Sequence, residues 1–131
     1  MARIAVVTDS VAIIPEDLVR RYDIHVVPCH VIWDKVKYLD GVDIKPTEFY
    51  QRLRKSPTLP TTSSGIQGEL VQIFEGLRGK VDGIVAIVLS GALGAAYTSV
   101  MAAKEMVSGV PIEVIDTKLA LMGEGFAVLD A

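Results

Sequence analysis

Hydroxyl-bearing residues of this chain gather in four short segments, each beside a run rich in Ile and Val. The segments are Thr8-Asp9-Ser10, Pro60-Thr61-Thr62-Ser63-Ser64, Ser90-Gly91-Ala92-Leu93-Gly94 and Asp116-Thr117-Lys118. Hydroxyl groups, together with the free backbone N–H groups at the start of a helix, are donors that bind a carboxylate or a phosphate. The segments therefore predict an oxyanion-binding site if the fold brings them to one place.

Each of these segments also has an interpretation that requires no ligand. Asp9 and Ser10 are residue types whose side chains bond the local backbone in turns. Ser64 with Gln67 matches the capping box that begins many helices. Three further hydroxyls exceed what capping requires, those of Thr61, Thr62 and Ser63. The excess favours an anion-binding role for this segment.

Gly91 leaves two interpretations open. Without a side chain, Gly91 and Gly94 would let backbone N–H groups touch an anion directly. Alternatively, the glycines only permit tight packing of a strand against a helix, or Gly91 supplies a backbone with φ above zero. The sequence does not decide between these roles for either glycine.

Other kinds of chemistry have no support in the sequence. The chain contains neither G-x-x-x-x-G-K-[ST] nor G-x-G-x-x-G, the two phosphate-binding patterns of nucleotide sites. Ser90 lacks the flanking glycines of a G-x-S-x-G nucleophile. His25 and His30 are the only histidines, and Cys29 is the only cysteine. Because no matching ligand pair accompanies them, we expect no metal and no bound cofactor.

Composition narrows the class of protein further. The chain has 131 residues, of which 50% are hydrophobic and 22% charged, with a formal net charge of −3. This length suits one domain with a substantial core. The negative balance makes nucleic acid and anionic membranes poor partners. A lone cysteine cannot form an internal disulfide, so we expect a cytoplasmic protein.

Residues 83–103 carry no charged side chain, a length that would suffice for a membrane-spanning helix. Their internal pattern argues otherwise. Ile84 to Leu89 is short and β-branched, Ser90-Gly91 interrupts it, and an alanine-rich helical pattern follows. We therefore expect a buried strand followed by a packed helix, and no membrane span.

Short apolar runs alternate with amphipathic segments along the whole chain. The predicted strands are Arg3–Val7, Ile24–Val27, Cys29–Trp33, Ile84–Leu89 and Ile112–Ile115. Helices are expected after Pro15, Pro46, Ser64 and Thr117, and from Leu93 to Val107. The charged stretch 34–40 is expected to be a solvent-exposed connection. Nearly continuous apolar strands predict an α/β fold, an open, mostly parallel sheet with helices on both faces.

A series of motifs, in order from Ile4 to the end of the chain, resembles the DegV family. They are Ile4-Ala-Val-Val-Thr-Asp-Ser10, Val26-Val-Pro28, Tyr38-Leu-Asp-Gly-Val-Asp43, Phe49-Tyr50, Leu59-Pro-x-Thr62-Ser63, Leu89-Ser90 with Tyr97-x-Ser99, and Val114-Ile-Asp116 with Met122-Gly-x-Gly125. No single motif is decisive, but the collection is specific.

The resemblance implies a bacterial fatty-acid-binding protein built from two α/β domains. It implies that residues 1–131 form a single α/β domain equivalent to the N-terminal half, with the C-terminal domain absent from this chain. Family members present a bound long-chain acyl group, and some serve as the non-catalytic lipid-binding subunit of a fatty acid kinase. A separate ATP-dependent kinase subunit would then phosphorylate the carboxylate. By this resemblance the chain itself is not an enzyme.

The resemblance also implies the residues that hold the fatty-acid carboxylate. The family's head-group threonine falls on Thr62, followed by Ser63, and the second contact is the turn Ser90-Gly91-Ala92. Ser90 keeps the first serine of the family's turn, whereas Gly91 stands where a second serine is usual. Further candidate contacts at the expected sheet edge are Thr8, Ser10 and Ala92.

Two other functions stay open at the level of sequence. One is a phosphotransferase-type α/β component that handles phosphorylated small molecules, although neither His25 nor His30 lies in a convincing loop for a phosphoryl acceptor. The other is an interaction module with an empty site. The high apolar content of a short chain also predicts an exposed apolar face near Ser90, through which we expect self-association.

Overall fold

The computed structural model describes residues 1–64 and 66–131. Within these residues the strands are β1 (Ile4–Asp9), β2 (His25–Val27), β3 (His30–Trp33), β4 (Val36–Leu39), β5 (Thr61–Ser63), β6 (Gly83–Val88) and β7 (Ile112–Asp116). The helices are α1 (Glu16–Arg21), α2 (Pro46–Leu53), α3 (Gln67–Leu77), α4 (Ala96–Met106) and α5 (Met122–Asp130). A 3-10 turn, Ser10–Ala12, follows β1 directly.

The main sheet has the strand order β2-β1-β6-β7, and all three of its pairings are parallel. Val7 of β1 lies opposite His25 on one side and Ala86 on the other. Helices cover both faces, because successive side chains of a strand point to opposite sides. Val7 packs in a core with α3 and α4, whereas Val6 packs in a second core with α1 and α5. The expected α/β class, with an open, mostly parallel sheet, is confirmed.

A second, antiparallel sheet with the order β4-β3-β5 was not predicted. The prediction that Cys29–Trp33 belongs to the parallel sheet is wrong. Asp34, Lys35 and Lys37 are exposed as expected, but 34–40 is not merely a connection, because Val36–Leu39 forms β4. Asp34 and Lys35 both have positive φ, 50° and 66°, and join β3 to β4 as a two-residue hairpin. The usual sequence signature of such a turn is Asn-Gly or Asp-Gly, and Asp-Lys lacks it.

Trp33 anchors the small core of this second sheet. Its side chain is fully buried and contacts Phe49 edge to face, with ring centroids 5.3 Å apart. The indole N–H donates to Ser56 Oγ, and the guanidinium of Arg52 lies 4.5 Å from the ring centroid. The antiparallel sheet is therefore fixed to α2 by one aromatic side chain whose polar atom is also satisfied.

Three helices begin later than the sequence predicts. The helix expected after Thr117 begins at Met122. The helix expected from Ser64 begins at Gln67, and Ile66 precedes it without a side-chain cap, so the capping box at Ser64 is wrong. The carbonyl of Ser64 instead accepts the N–H of Ile66 and the hydroxyl of Ser99 on α4. Helix α4 begins at Ala96, after an exposed Leu93.

Gly125 lets α5 approach the 3-10 turn more closely than any side chain would allow. A Cβ atom at this position would lie 2.6 Å from the carbonyl oxygen of Ala12 and 3.0 Å from Sδ of Met122. Backbone cannot yield at such a distance without moving the helix. The contact fixes where α5 lies against the carboxyl end of β1.

We predict that Gly125→Ala lowers the free energy of unfolding by about 1–3 kcal/mol, because the added methyl group overpacks the contact with Ala12. Gly76→Ala is the matched control. Gly76 lies in α3, where a Cβ atom would have no neighbour within 4 Å. That substitution should stabilise the chain by about 0.5–1 kcal/mol. Chemical denaturation of both variants makes the comparison, and equal effects would contradict the close approach of α5.

Candidate functional site

The carboxyl ends of the four parallel strands meet at one edge of the main sheet. Three of the hydroxyl-bearing segments lie at that edge, since they follow β1, β6 and β7. This is the edge at which parallel α/β sheets bind their ligands. The structure therefore brings together the segments at Thr8, Ser90 and Asp116 that the sequence singled out.

The fourth segment reaches the same edge through Ser64. A Cβ atom at Gly94 would lie 3.3 Å from Ser64 Oγ, and Ser99 Oγ donates to the Ser64 carbonyl at 2.9 Å. The start of α4 thus touches the residue that follows β5. Thr62 and Ser63 precede Ser64 on the chain, so the contacts of Ser64 link β5 to the loop that begins with Ser90.

The strand pairing separates the side chains of Thr62 and Ser63. Thr62 lies opposite Val31 and Ser63 opposite His30, so the two side chains point to opposite faces of β5. On the same face as Ser63, His30 Nε2 of β3 lies 2.7 Å from Glu69 Oε1 of α3. This hydrogen bond joins α3 to the antiparallel sheet. Thr62 itself is exposed. One carboxylate approaching one face of β5 meets the side chain of only one of the two residues.

The backbone N–H groups of the turn after β6 all donate within the protein. Those of Leu89, Ser90 and Gly91 bind Asp9 Oδ2, the Leu119 carbonyl and Asp116 Oδ1, at 2.8, 3.0 and 3.2 Å. The N–H of Ala92 binds Ser90 Oγ at 3.3 Å. In this geometry the N–H groups of Gly91 and Ala92 are therefore not free to bind an anion.

Gly91 makes room for a carboxylate of the protein itself. Its φ lies outside the left-handed region, so the interpretation that it supplies a positive φ is wrong. A Cβ atom at Gly91 would lie only 3.0 Å from Asp116 Oδ2 and 3.6 Å from Cβ of Tyr97. The absent side chain allows Asp116 to close over the turn.

Ser90 keeps a donor that the rest of the turn lacks. Its side chain is only 5% exposed, and Oγ accepts the N–H of Ala92. Within the part of the chain that the structure describes, the hydroxyl hydrogen of Ser90 has no acceptor. It is therefore available to an anion that reaches the turn.

The hydroxyls of Thr8 and Ser10 are engaged inside the protein. Thr8 is 1% exposed, and its Oγ1 donates to Glu124 Oε1 at 3.3 Å. Ser10 Oγ donates to Asp40 at 2.6 Å and accepts the N–H of Cys29. These contacts agree with the structural interpretation of the segment after β1.

An apolar cavity of about 500 Å³ opens beside the carboxyl ends of β1 and β2. Most of its lining is aliphatic, and the sequence analysis did not identify it. The apolar lining includes Ile13, Ile14, Val19, Val26, Pro28 and Val42. Its polar lining consists of Thr8, Asp9, Ser10, Glu16, Arg20, Asp40 and Lys45, and does not include Thr62 or Ser90. The signal in the sequence was the apolar run through Ile13-Ile14, which a loop alone does not require.

Two fully buried carboxyl groups, those of Asp9 and Glu124, meet behind this edge. Both side chains are 0% exposed. Burial, together with the negative charge of Asp9, raises the pKa of Glu124 to about 9. Burial also raises the pKa of Asp9, against the opposing effect of N–H donors from Leu89 and Val11. At neutral pH the pair therefore keeps a proton, and the two backbone N–H donors on Asp9 favour Glu124 as the group that carries it.

Glu124 was missed as a residue of interest. Its signal was present, since it is the one charged residue inside the apolar stretch Leu121–Leu129. Long acidic side chains are rarely fully buried without a partner, so an acid in an apolar helix face predicts a specific contact. Only the fold shows that the contact is another acid.

We predict that the chain loses stability as the pH rises from about 6 to about 9. The folded pKa of Glu124, about 9, lies above its ordinary value of 4.5. Folded chain therefore keeps a proton that unfolded chain releases, and the free energy of unfolding falls as pH rises between these values. Thermal unfolding across this range measures the effect.

Glu124→Gln provides the control for this measurement. Glutamine keeps the shape and remains neutral at every pH, so its melting temperature should vary less over the same range. A wild-type melting temperature with the same pH profile as that of the glutamine variant would contradict the shared proton.

The fold and the edge define an α/β domain with hydroxyl-bearing loops at the carboxyl edge of its parallel sheet and an apolar cavity at the same edge. Comparison with known proteins shows which family of α/β proteins the chain belongs to. The sequence model of the DegV family, described as a family of uncharacterised proteins, matches residues 3–131. The chain belongs to the DegV family, and the resemblance found in its motifs is confirmed.

Several relatives support this assignment. A DegV domain-containing protein of Caldanaerobacter subterraneus is 43% identical over 131 residues, which is all of this chain and 46% of that protein. The structure of DegV from Bacillus subtilis, a fatty acid binding protein, has a TM-score of 0.93 at 32% identity over 98% of this chain and 46% of that one. A DegV family protein from Thermus thermophilus, described by its fatty acid binding, has a TM-score of 0.88 at 32% identity over 98% of this chain and 45% of that one. The chain thus spans about half the length of the relatives that it matches.

None of the helices described here has the length and apolarity needed to cross a membrane.

Proposed function

We propose that this chain binds a long-chain fatty acid, holding the carboxylate near Thr62, Ser63, Ser90 and Gly91 and the acyl tail in the apolar cavity. The observation that carries the proposal is the similarity, over 98% of the chain, to the fatty acid binding protein DegV of Bacillus subtilis. The apolar cavity of about 500 Å³ beside hydroxyl-bearing loops gives a physical basis to the same proposal.

Side-chain hydroxyls are the donors that the carboxylate would use. We assign this role to Ser90, whose hydroxyl hydrogen has no acceptor among the described residues, and to Thr62, which is exposed. Ser63 points to the face of β5 that α3 covers, so its part is to flank the head group. Gly91 contributes by leaving space for Asp116, which orders the turn.

The charges around the cavity orient the ligand. Asp9 and Asp40 line it, and a fatty-acid carboxylate placed beside them would meet like charges. The cations of the lining, Arg20 and Lys45, are both paired with Glu16. The aliphatic side chains of the cavity suit the tail instead, since each buried methylene group contributes about 0.8 kcal/mol. The head group therefore points away from Asp40 and toward Ser90 and Thr62.

The proposed role is that of a carrier without chemistry of its own. We propose that this chain corresponds to the N-terminal half of a two-domain cytoplasmic protein. We further propose that the whole protein presents the acyl group to a separate kinase subunit. His30, buried and paired with Glu69, is unsuited to accept a phosphoryl group, which argues against the phosphotransferase alternative.

Self-association is proposed for the exposed apolar side chains around the turn. Leu93 is 69% exposed, and Leu119 and Leu121 are also exposed on the adjoining loop. Leu119 contacts the turn directly through its carbonyl, which accepts the N–H of Ser90. A surface of this kind marks an interface in most proteins.

The test of the proposed function is native mass spectrometry of the chain purified from cells. A mass increase that matches one fatty acid, and is released on denaturation, is the expected result. Phosphorylated protein would favour the phosphotransferase alternative. Bare protein that also fails to take up added fatty acid would favour the empty interaction module.

We predict that Thr62→Val weakens fatty-acid binding about five- to a hundredfold, because removal of the hydroxyl leaves the carboxylate one donor short, a loss of about 1–3 kcal/mol. Thr61→Val is the matched control, since both threonines are exposed and point to opposite faces of β5. Fluorescence titration with cis-parinaric acid compares them. Equal losses at the two positions would remove Thr62 from the site.

A further inference from the structure

We infer that the buried carboxyl groups of Asp9 and Glu124 are positioning residues that hold the turn after β6 so that the Ser90 hydroxyl can receive the fatty-acid carboxylate. The inference rests on the proposed function. Glu124 does not line the cavity, and Asp9 does so only at the end of β1. Their effect on binding passes through Leu89, the residue immediately before Ser90.

The Asp9 carboxylate connects three parts of the fold. Its Oδ1 accepts the N–H of Val11 in the 3-10 turn at 2.9 Å, and its Oδ2 accepts the N–H of Leu89 at 2.8 Å. Leu89 follows β6 directly, so this second bond sets the direction in which the chain leaves the sheet. Hydrogen bonds to an ionised acceptor are about twice as strong as neutral ones, so the charge on Asp9 matters for the turn.

Glu124 supplies the proton that makes this buried charge tolerable. Its Oε1 accepts the Thr8 hydroxyl at 3.3 Å, whereas Oε2 is buried without a hydrogen-bond partner among the described residues. The neighbouring titratable group that faces Asp9 is Cys29, with Asp40 beyond it. All of these groups are acidic, and no Lys or Arg ion pair reaches Asp9 or Glu124 in the described part of the chain. A neutral Glu124 beside an ionised Asp9 is the arrangement that avoids two buried charges of the same sign.

Backbone strain on both sides of the pair shows how firmly it is held. Ile13 has φ 46° and ψ 36°, a left-handed conformation that is unfavourable for a β-branched residue. Leu121, just before α5, has φ 55° and ψ −140°. Strained residues persist only where their surroundings fix them. Here Ile13 follows the 3-10 turn bonded to Asp9, and Leu121 precedes the helix that carries Glu124.

The positioning role has a signature that a purely stabilising role lacks. If the pair only stabilises the fold, its deprotonation changes the melting temperature and leaves the affinity of folded chain unchanged. If the pair positions the turn, deprotonation also weakens binding in chain that is still folded. The Leu89 amide hydrogen should also exchange faster in wild-type chain than in Glu124→Gln at the high end of this pH range, a comparison in which the base catalysis common to all amides cancels.

The experiment is a titration with cis-parinaric acid at pH values from about 6 to about 9.5, for wild-type chain and for Glu124→Gln, with circular dichroism confirming that both are folded. Any ionisation of the probe affects the two proteins equally. We expect wild-type affinity to fall about tenfold or more relative to the glutamine variant as the pair loses its proton, since a tenfold change corresponds to about 1.4 kcal/mol. The two proteins should agree within about twofold at pH 7.

Asp9→Asn tests the acceptor directly. It should weaken binding about tenfold or more at pH 7 and speed the exchange of the Leu89 amide, because one charged acceptor is lost. Parallel pH profiles for wild type and Glu124→Gln, or wild-type affinity in a folded Asp9→Asn, would overturn the inference and leave the proposed function standing. Wild-type chain that fails to bind cis-parinaric acid at any pH would overturn both.

Discussion

The buried carboxylate of Asp9 is the interaction on which the rest of the sheet edge depends. A negative charge removed from water requires donors, and Asp9 finds them in the N–H groups of Val11 and Leu89. The protonated Glu124 beside it prevents a second charge from forming at neutral pH. One side chain thereby joins the end of β1, the 3-10 turn, the end of β6 and, through Glu124, helix α5.

The number of hydrogen-bond donors still free at this edge limits what it can bind. Asp9, Asp116 and the Leu119 carbonyl already occupy the N–H groups of the turn that carries Ser90. An incoming carboxylate therefore depends on hydroxyls, and the adjoining cavity offers an aliphatic surface for its tail. A ligand with an anionic head and a long apolar chain suits both features at once, whereas a phosphorylated metabolite uses only the first.

Periodicity and motif order were sufficient to predict the parallel sheet, because its strands are continuously apolar and its helices cover both faces. The antiparallel sheet was not predicted because its hairpin turn, Asp34-Lys35, has neither Asn nor Gly at its positive φ angles. The structure places three of the four hydroxyl clusters at one edge of the sheet, as expected from their positions at the ends of strands. Which of their donors are already engaged depends on Asp116 and Asp9, which lie 25 and 80 residues from their partners in the turn. Local sequence patterns do not contain contacts of that range.

A crystal structure of the chain with bound palmitate tests the central claim most directly. The account predicts carboxylate oxygens within hydrogen-bond distance, about 3 Å, of the hydroxyls of Ser90 and Thr62. It also predicts the methyl end among Ile14, Val19 and Val26. Palmitate bound with its carboxylate beside Asp40, or outside the cavity altogether, would contradict the account.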